Sequence, residues 1–289
     1  MIANSELILN PDGTIYHLNL SPTDIAHDII TVGDPDRVDL VASRLDSVLL
    51  TRHKREFKTV TGTVGNKKVT IISTGIGTDN IDIVFTELDA LVNVDLHNRS
   101  ILPTHTPLRF YRLGTSGTVR PDIPVDSVIL SAYAVGLDGL LHFYERPELE
   151  DISALEAVVS NRLRGAIPHI VPYAAAGGTT LLDQYAALGT LGITTTATGF
   201  YAPQGRTVRA RSLDGDFVDR LADLSYRGLS FTNLEMETAG IYGMAQLLGH
   251  EAISFNAILA NRSAGTFSTD PAGVVDSLID QFFTAFVDL

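Results

Sequence analysis

The stretch DIITVGDPDR, residues 28–37, contains the pattern that decides the fold. Four consecutive β-branched residues, Ile29 to Val32, are typical of a strand that is covered on both faces. Glycine, aspartate and proline follow at 33–35 and end the strand, and Arg37 then falls in a helix. A strand that turns directly into a helix is the repeating unit of an α/β fold.

The same alternation continues along the chain. In its last stretch, apolar residues follow a 3,4 spacing after a start at Asp270 and Pro271, which predicts an amphipathic helix. No repeat or linker interrupts the chain, so residues 1–289 are predicted to form one α/β domain with a mixed or largely parallel sheet. Further strands are predicted at 67–74, 110–115, 127–135, 192–198 and 252–260, and further helices at 78–92 and 236–248.

Composition excludes several classes of function. The chain has 289 residues, 45% of them hydrophobic, which is enough for a sizeable core. It carries 21 basic against 34 acidic residues, a net charge of −13, which argues against nucleic acid or an anionic membrane as a partner. It has no cysteine, no leader-like N-terminus and no apolar run that could span a bilayer. We therefore expect a cytoplasmic protein without disulfides.

Three glycine-containing turns are predicted at the carboxyl ends of strands, where ligands collect in α/β sheets. They are GDPDR at 33–37, TGIGTDN at 74–80 and GTSG at 114–117. Backbone N–H groups in such turns can approach an anion closely. None is a P-loop or a GxGxxG turn, and a tight turn needs glycine for its geometry in any case.

Three arginines favour the anion-binding interpretation. Arg37 follows the first turn, Arg112 lies inside the strand before the third, and Arg55 lies in the segment KREF. A guanidinium group offers a planar fork that matches two phosphate oxygens. The alternatives are that Arg37 is solvated, that Arg55 belongs to a basic surface cluster, and that Arg112 forms a buried salt bridge.

The segment GFYAPQGR, residues 199–206, combines two aromatic rings with a planar amide and a planar cation. Gln204 offers both a donor and an acceptor, whereas Arg206 offers donors only. The pair would suit the edge of a flat, hydrogen-bonding ring whose face Phe200 or Tyr201 covers. The alternative is a turn with a few exposed polar residues.

Together with YHLNL at 16–20, LEMETAG at 234–240 and ILANR at 258–262, these segments resemble the nucleoside phosphorylase family of the uridine phosphorylase type. Their order and approximate spacing match over nearly the whole chain. The resemblance implies a single α/β domain whose mixed, partly barrel-like β-sheet is flanked by helices.

The resemblance also implies three groups of site residues. Inorganic phosphate, the co-substrate, would be bound by Gly33, Arg37, Arg112 and Thr115, with Arg55 from a neighbouring subunit. Ribose would be bound by Thr115, Met236 and Glu237, with His17 from the neighbour. The base would be bound by Phe200, Gln204, Arg206 and Arg262. Within these groups, the catalytic roles would belong to Arg112, Glu237 and Arg206.

Some of these residues have simpler interpretations. Glu237 could be an acidic residue that stabilises the start of a helix, and His17 could be a surface histidine. His105 and His142 match no motif and are interpreted as structural. No metal site or organic cofactor is expected, although Glu56 matches a position that holds a monovalent cation in some family members. The resemblance further implies a homo-oligomer, either a dimer or a hexamer, with active sites shared between subunits.

The implied reaction is reversible phosphorolysis of uridine to uracil and ribose 1-phosphate. The purine branch of the family places an aspartate after the late strand, whereas this chain has ILANRSAG there, with Arg262 and no acid. Alternatives are a phosphorylase of thymidine, deoxyuridine or a purine nucleoside, a nucleoside hydrolase, and a silent binding protein. The long tract 93–110 and the residues after Arg262 depart from the better-known bacterial uridine enzymes.

Overall fold

Strands and helices alternate along the whole chain in the computed structural model, which describes residues 1–289. The α-helices are α1 (Pro35–Ala42), α2 (Thr78–Asn93), α3 (Glu150–Leu163), α4 (Thr179–Gln184), α5 (Phe217–Ala222), α6 (Thr238–Leu248) and α7 (Pro271–Asp288). The strands are β1 (Asp28–Val32), β2 (Ser47–Lys54), β3 (Phe57–Val64), β4 (Lys67–Ser73), β5 (Val94–Asp95), β6 (Ser100–Ile101), β7 (Arg109–Thr118), β8 (Val128–Gly136), β9 (Tyr173–Ala176), β10 (Thr190–Thr196), β11 (Ser225–Tyr226), β12 (Leu229–Glu235), β13 (Glu251–Asn261) and β14 (Thr266–Phe267).

Five of the strands close into a ring. The order β7–β13–β8–β10–β12 is completed by an antiparallel pairing of β12 with β7, in which Asn233 lies opposite Thr118. The pairs β7–β13, β8–β10 and β10–β12 are parallel, and β13–β8 is antiparallel. Closure satisfies the backbone groups that an open sheet would leave at its edges. The mixed, barrel-like sheet expected from the resemblance is therefore confirmed.

Beside the ring, β7 also pairs with β1, and the sheet continues from there through β4, β3 and β2. The strands β1, β4 and β7 are parallel, and Thr31 of β1 lies opposite both Ile72 and Arg112. The carboxyl ends of β1 and β4 therefore meet at one edge of the sheet, beside Arg112 in the middle of β7. The hairpin between the antiparallel strands β2 and β3 returns to that edge, because Thr59 near the start of β3 pairs with Ile72 near the end of β4.

Helices cover the sheet through three hydrophobic clusters, two of which meet on opposite faces of β7. Phe110 and Tyr111 are neighbours on β7 and belong to different clusters, as successive strand residues face opposite sides. Phe110 stacks on Phe85 of α2 with ring centroids 4.1 Å apart, and Tyr111 lies 5.4 Å from Phe282 of α7. Phe282 is fully buried, so truncating it to alanine is expected to cost about 3–5 kcal/mol of stability.

The elements that were predicted agree with the structure to within about two residues at most boundaries, with one exception. The segment 114–117 was expected to be a turn, but it lies inside β7, which runs on to Thr118. A side chain on Gly114 would lie 1.9 Å from Nη1 of Arg112, so this glycine makes room for the guanidinium group. Several elements were not predicted, namely the hairpin of β2 and β3, helices α3, α4 and α5, the ring strand β12, and the short strands β5, β6, β9, β11 and β14. The helices are all too short or too polar to cross a lipid bilayer.

Candidate active site

Arg112 lies in the middle of β7 and is only 7% exposed. Its Nη2 donates to Oε2 of Glu237 at 2.7 Å and lies 3.0 Å from Oε2 of Glu235, while Nη1 donates to Oδ1 of Asn256 at 3.1 Å. The buried salt bridge considered as an alternative therefore exists. Its partner Glu237 is itself a predicted site residue, so the ion pair joins two parts of the candidate site.

Glu237 is the N-cap residue of α6, but its side chain does not bond to the first turn of that helix. Oε1 accepts the backbone N–H of Gly77 at 2.8 Å, and Oε2 accepts from Arg112. The turn TGIGTDN, with Gly77 at φ +100°, thus directs this N–H to the protein's own carboxylate. The simple interpretation of Glu237 as a helix-stabilising acid is not supported by these contacts.

Burial and charge act in opposite directions on this ion pair. Burial raises the pKa of Glu237, Arg112 opposes this, and the neighbouring Glu235 adds to the rise, so the net pKa shift is upward. For Arg112, burial lowers the pKa, but the two carboxylates outweigh it and the net shift is upward. The arginine is therefore held as a cation, whereas burial makes the charged form of Glu237 less favourable than it would be in water.

The other predicted phosphate ligands lie at the same edge of the sheet. Arg37 is in the first turn of α1, where its only ion pair is with Asp34 at 3.4 Å. Its pKa is lowered, chiefly by burial and also by repulsion from Arg112. The space beside Gly33 is open, since a side chain there would meet no atom within 4 Å. Thr115, half-buried on β7, makes no side-chain hydrogen bond in the structure.

The predicted base-binding residues form one connected group. Gln204 is 2% exposed, and its Oε1 accepts from Nη1 of Arg206 at 2.6 Å. The same Nη1 donates to the carbonyl oxygen of Phe200 at 2.7 Å, and the guanidinium carbon lies 3.8 Å from the centre of the Phe200 ring. Nη1 of Arg262 donates to the carbonyl oxygen of Gln204 at 2.9 Å. Arg206 therefore covers one face of the Phe200 ring. From the sequence, Arg206 was expected to contact the edge of a ligand whose face an aromatic ring covers.

The base end of the site carries positive charge without a neighbouring carboxylate. Burial lowers the pKa of Arg206 to about 10, with a further contribution from Arg262. Burial also lowers the pKa of Arg262. Neither arginine forms an ion pair. Arg262 packs over Gly117 of β7, its Cγ 3.4 Å from where a side chain would begin, so one strand runs from the phosphate arginine to the base end.

Two predicted residues lie apart from this group within one subunit. Nδ1 of His17 is 2.6 Å from Oε1 of Glu87, and its Nε2 makes no hydrogen bond. Arg55 is exposed at the tip of the β2–β3 hairpin, with its guanidinium 5.9 Å from the ring of Tyr16. No hydrogen bond or ion pair joins either residue to Arg112, Glu237 or the base-binding group. Met236, between the two glutamates, is half-buried.

Sequence reasoning missed the residues that surround Arg112. Glu235 accepts the backbone N–H groups of Glu237 at 2.9 Å and Thr238 at 2.9 Å, and it accepts the hydroxyl of Thr196. It therefore ties the start of α6 to the end of β10. Asn256 was also missed. The alternation of polar side chains in SFN, residues 254–256, was the available signal, since an apolar strand seldom buries them without a partner.

Asp89, His105 and His250 form a group of possible metal ligands, with ligand atoms within 4.8 Å of one another. Nδ1 of His250 accepts the backbone N–H of Leu108 at 3.1 Å, which places the ring proton of the neutral form on Nε2. That nitrogen faces Asp89 at 3.3 Å. A metal bound there would need Nε2 without its proton, so the hydrogen bonding argues against this site. Glu56 remains exposed, and no role for it follows from its contacts.

Comparison with known proteins agrees with this geometry. The chain matches the phosphorylase superfamily over residues 28–285. It is 29% identical to the uridine phosphorylase of Thermococcus kodakarensis, covering 89% of this chain and 80% of the relative, and 28% identical to that of Escherichia coli, covering 86% and 87%. A crystal structure of a Trypanosoma brucei nucleoside phosphorylase, described as showing uridine phosphorylase activity, superposes with a TM-score of 0.87 at 26% identity, covering 98% of this chain and all of the other.

The chain belongs to the phosphorylase superfamily. The resemblance of its motifs to nucleoside phosphorylases of the uridine type is confirmed by these relatives. It is accordingly a pentosyltransferase, an enzyme class whose nucleoside phosphorylase members act on a nucleoside and phosphate.

Proposed function

We propose that this protein catalyses the reversible phosphorolysis of uridine, which yields uracil and ribose 1-phosphate. The observation that carries the proposal is the base end of the site, where Arg206 and Arg262 lie beside Gln204 without a carboxylate partner. A departing uracil takes negative charge onto its ring and carbonyl groups. Cations that lack a counter-ion stabilise that charge, so no general acid is needed.

The hydrogen-bonding groups of Gln204 and Arg206 fit a uracil edge. A guanidinium group can only donate, so Arg206 occupies one lone pair of the Gln204 oxygen and leaves the amide N–H groups and the second lone pair. That leaves donors for carbonyl oxygens and an acceptor for the ring N–H of uracil. A purine leaving group favours protonation of its ring, and Arg262 occupies the position where the purine branch has an acid.

At the other end of the site, phosphate would be the nucleophile. Arg37 and Arg112 would hold the anion below the anomeric carbon, with Gly33 and Thr115 beside it, so that the protein supplies position rather than a covalent group. Breaking the glycosidic bond generates an oxocarbenium-like sugar. Met236 and Glu237 would contact the ribose, and the Glu237 carboxylate would favour its positive charge.

We further propose that each site is completed by a second subunit. His17 presents an unpaired Nε2 and Arg55 an exposed guanidinium, and both lie around Tyr16, away from the other site residues of their own chain. A two-fold contact between copies can bring such a surface to the neighbour's pocket. The smallest active species would then be a dimer. A monovalent cation near Glu56 is proposed only as a structural ion, and no other cofactor is required.

The proposal is tested by assaying uridine with and without phosphate, and thymidine and inosine with phosphate. We expect phosphate-dependent release of uracil, weaker turnover of thymidine, and no turnover of inosine. Arg112→Ala should lower the rate by about 100- to 1,000-fold, the scale of one preorganised charge-stabilising donor. Release of uracil without phosphate would indicate a hydrolase. If no nucleoside is turned over, the protein would be a binding protein. Cleavage of inosine at the rate of uridine would indicate a different substrate class.

A further inference from the structure

A chain of buried polar side chains encircles the inside of the five-stranded ring. Each ring strand contributes one member, and none of the five is more than 9% exposed. The members are Ser116 on β7, Asn256 on β13, Ser131 on β8, Thr194 on β10 and Asn233 on β12. An apolar interior would leave no polar groups to satisfy, so the presence of this network requires a reason.

Every hydrogen bond in the chain has an assigned direction, beginning at Arg112. Nη1 of Arg112 donates to Oδ1 of Asn256 at 3.1 Å, and Nδ2 of Asn256 donates to the hydroxyl of Ser131 at 3.0 Å. Either hydroxyl could donate in the 2.5 Å contact between Ser131 and Thr194, but the single proton of Thr194 goes to Asn233, so Ser131 is the donor.

The second half of the chain continues in the same direction. The Thr194 hydroxyl donates to Oδ1 of Asn233 at 2.9 Å, and Nδ2 of Asn233 donates to the hydroxyl of Ser116 at 2.7 Å. Ser116 ends the chain by donating to the carbonyl oxygen of Leu234 at 2.9 Å. The direction is fixed at both ends, because a guanidinium group only donates and a carbonyl oxygen only accepts.

This polarity determines which atom Asn256 presents to Arg112. An asparagine amide can turn over and offer N–H groups instead of its oxygen, and N–H groups would repel the guanidinium. The bond from Nδ2 to Ser131 opposes this, together with longer contacts from Nδ2 to Oγ of Ser254 at 3.2 Å and to the carbonyl oxygen of Ile129 at 3.4 Å. Ser131 also has no proton to offer a turned-over amide oxygen while it donates to Thr194. A hydroxyl two links away from Asn256 thus helps to hold the arginine.

We propose that Ser131, Thr194 and Asn233 are positioning residues for phosphate binding, which act on Arg112 through Asn256 without touching a substrate. The inference rests on the proposed role of Arg112 as a phosphate ligand. The guanidinium is shared between two carboxylates on one side and Asn256 on the other. Loss of the Asn256 side lets it move towards Glu235 and Glu237 and away from an incoming phosphate.

The test is Thr194→Val, which keeps the shape of the side chain and removes the linking hydroxyl. We expect kcat/KM for phosphate to fall about tenfold, while KM for uridine changes less than twofold, and Thr194→Ser should restore the parental values. The matched control is Thr195→Val. Thr195 is the next residue of the same strand and is as buried as Thr194, but it takes no part in the hydrogen-bond network. Ser131→Ala, at a neighbouring link, should reproduce the loss and serves if Thr194→Val does not fold.

The outcomes separate this inference from the proposed function. If Arg112→Ala abolishes phosphate use but Thr194→Val and Ser131→Ala behave like Thr195→Val, the positioning role is refuted and the function stands. If Arg112→Ala leaves phosphate use unchanged, the proposed function fails and the inference fails with it. A drop in melting temperature without a selective change in the phosphate parameters would show a structural role alone and would also refute the inference.

Discussion

Replacing Arg206 by alanine tests the charge at the base end most directly. Arg206 donates to the Gln204 amide at 2.6 Å and to the Phe200 carbonyl at 2.7 Å, so truncation removes the cation and frees the amide that it orients. Burial and Arg262 lower its pKa, which means that its charge is poorly compensated within the protein. A departing uracil anion would supply the missing compensation.

The expected loss follows from these contacts. Removing one preorganised donor to developing charge costs about 100- to 1,000-fold in kcat, or about 2.7–4 kcal/mol. The loosened Gln204 amide is expected to add a rise in KM for the nucleoside, while the affinity for phosphate should remain close to parental, because no contact joins Arg206 to Arg112 or Arg37. Gln204→Ala should lower kcat/KM for uridine by a smaller factor, since it removes ground-state contacts and no charge.

Steady-state kinetics on uridine and 5-fluorouridine provide the assay. Fluorine withdraws charge from the leaving base, so the loss caused by Arg206→Ala should be smaller for the fluorinated substrate. Arg209→Ala is the matched control, because Arg209 is an exposed arginine of the same loop that forms no ion pair or hydrogen bond. Equal losses on both substrates would refute the charge argument, and parental kinetics for Arg206→Ala would make Arg206 an ordinary turn residue.

The remaining predictions concern the phosphate end and the subunit contact. Gly114→Ala should lower kcat/KM for phosphate by about 100-fold, because a side chain there would lie 1.9 Å from Nη1 of Arg112 and displace it; Gly165→Ala, where a side chain meets nothing within 4 Å, is the control and should be silent. Mixing His17→Ala and Glu237→Ala proteins under subunit exchange should restore part of the activity, since one hybrid site would be intact; no recovery despite proven exchange would argue for complete sites within one chain. The pKa of Glu237 is raised in the folded protein above its ordinary value of 4.5, so folding favours its proton and the free energy of unfolding should decline as pH rises above that value. In phosphate-free buffer, the melting temperature of Glu237→Gln should therefore rise relative to that of the parent protein between pH 5 and pH 8. A difference in melting temperature that does not change with pH would contradict the raised pKa.

Much of the candidate site can be recognised from motifs because each of its parts is short and local. Arg112 with Thr115, Met236 with Glu237, and Gln204 with Arg206 are each separated by three residues or fewer, so their chemistry is visible within one segment. What joins the segments is invisible at that range. Arg112 and Glu237 are 125 positions apart, and only the fold places their side chains 2.7 Å from each other.

The pairing of Arg112 with particular polar residues could not be predicted for the same reason, although the polar residues of SFN at 254–256 were visible in the sequence. Glu235 and Asn256 contact Arg112 because β13 pairs with β7 in parallel and β12 pairs with β7 antiparallel, and Ser254 lies opposite Arg112 in the register of β13. The donor-to-acceptor direction of the hydrogen bonds from Asn256 to Ser116 depends on all five ring strands at once. A buried threonine such as Thr194 looks like any other β-branched residue until its neighbours in the ring are known.

By itself, the sequence determined the class of fold and the segments that form the site. The spacing of apolar residues that is typical of a strand or a helix is visible within a few consecutive residues. DIITVGDPDR and the C-terminal helix could therefore be recognised without knowledge of distant contacts. The closure of the ring through β12 and β7, the course of β7 through the glycines at 114 and 117, and the separation of His17 and Arg55 from the rest of the site were decided only by the tertiary structure. Each depends on pairings between residues far apart in the chain, whose energies arise only when the whole sheet has assembled.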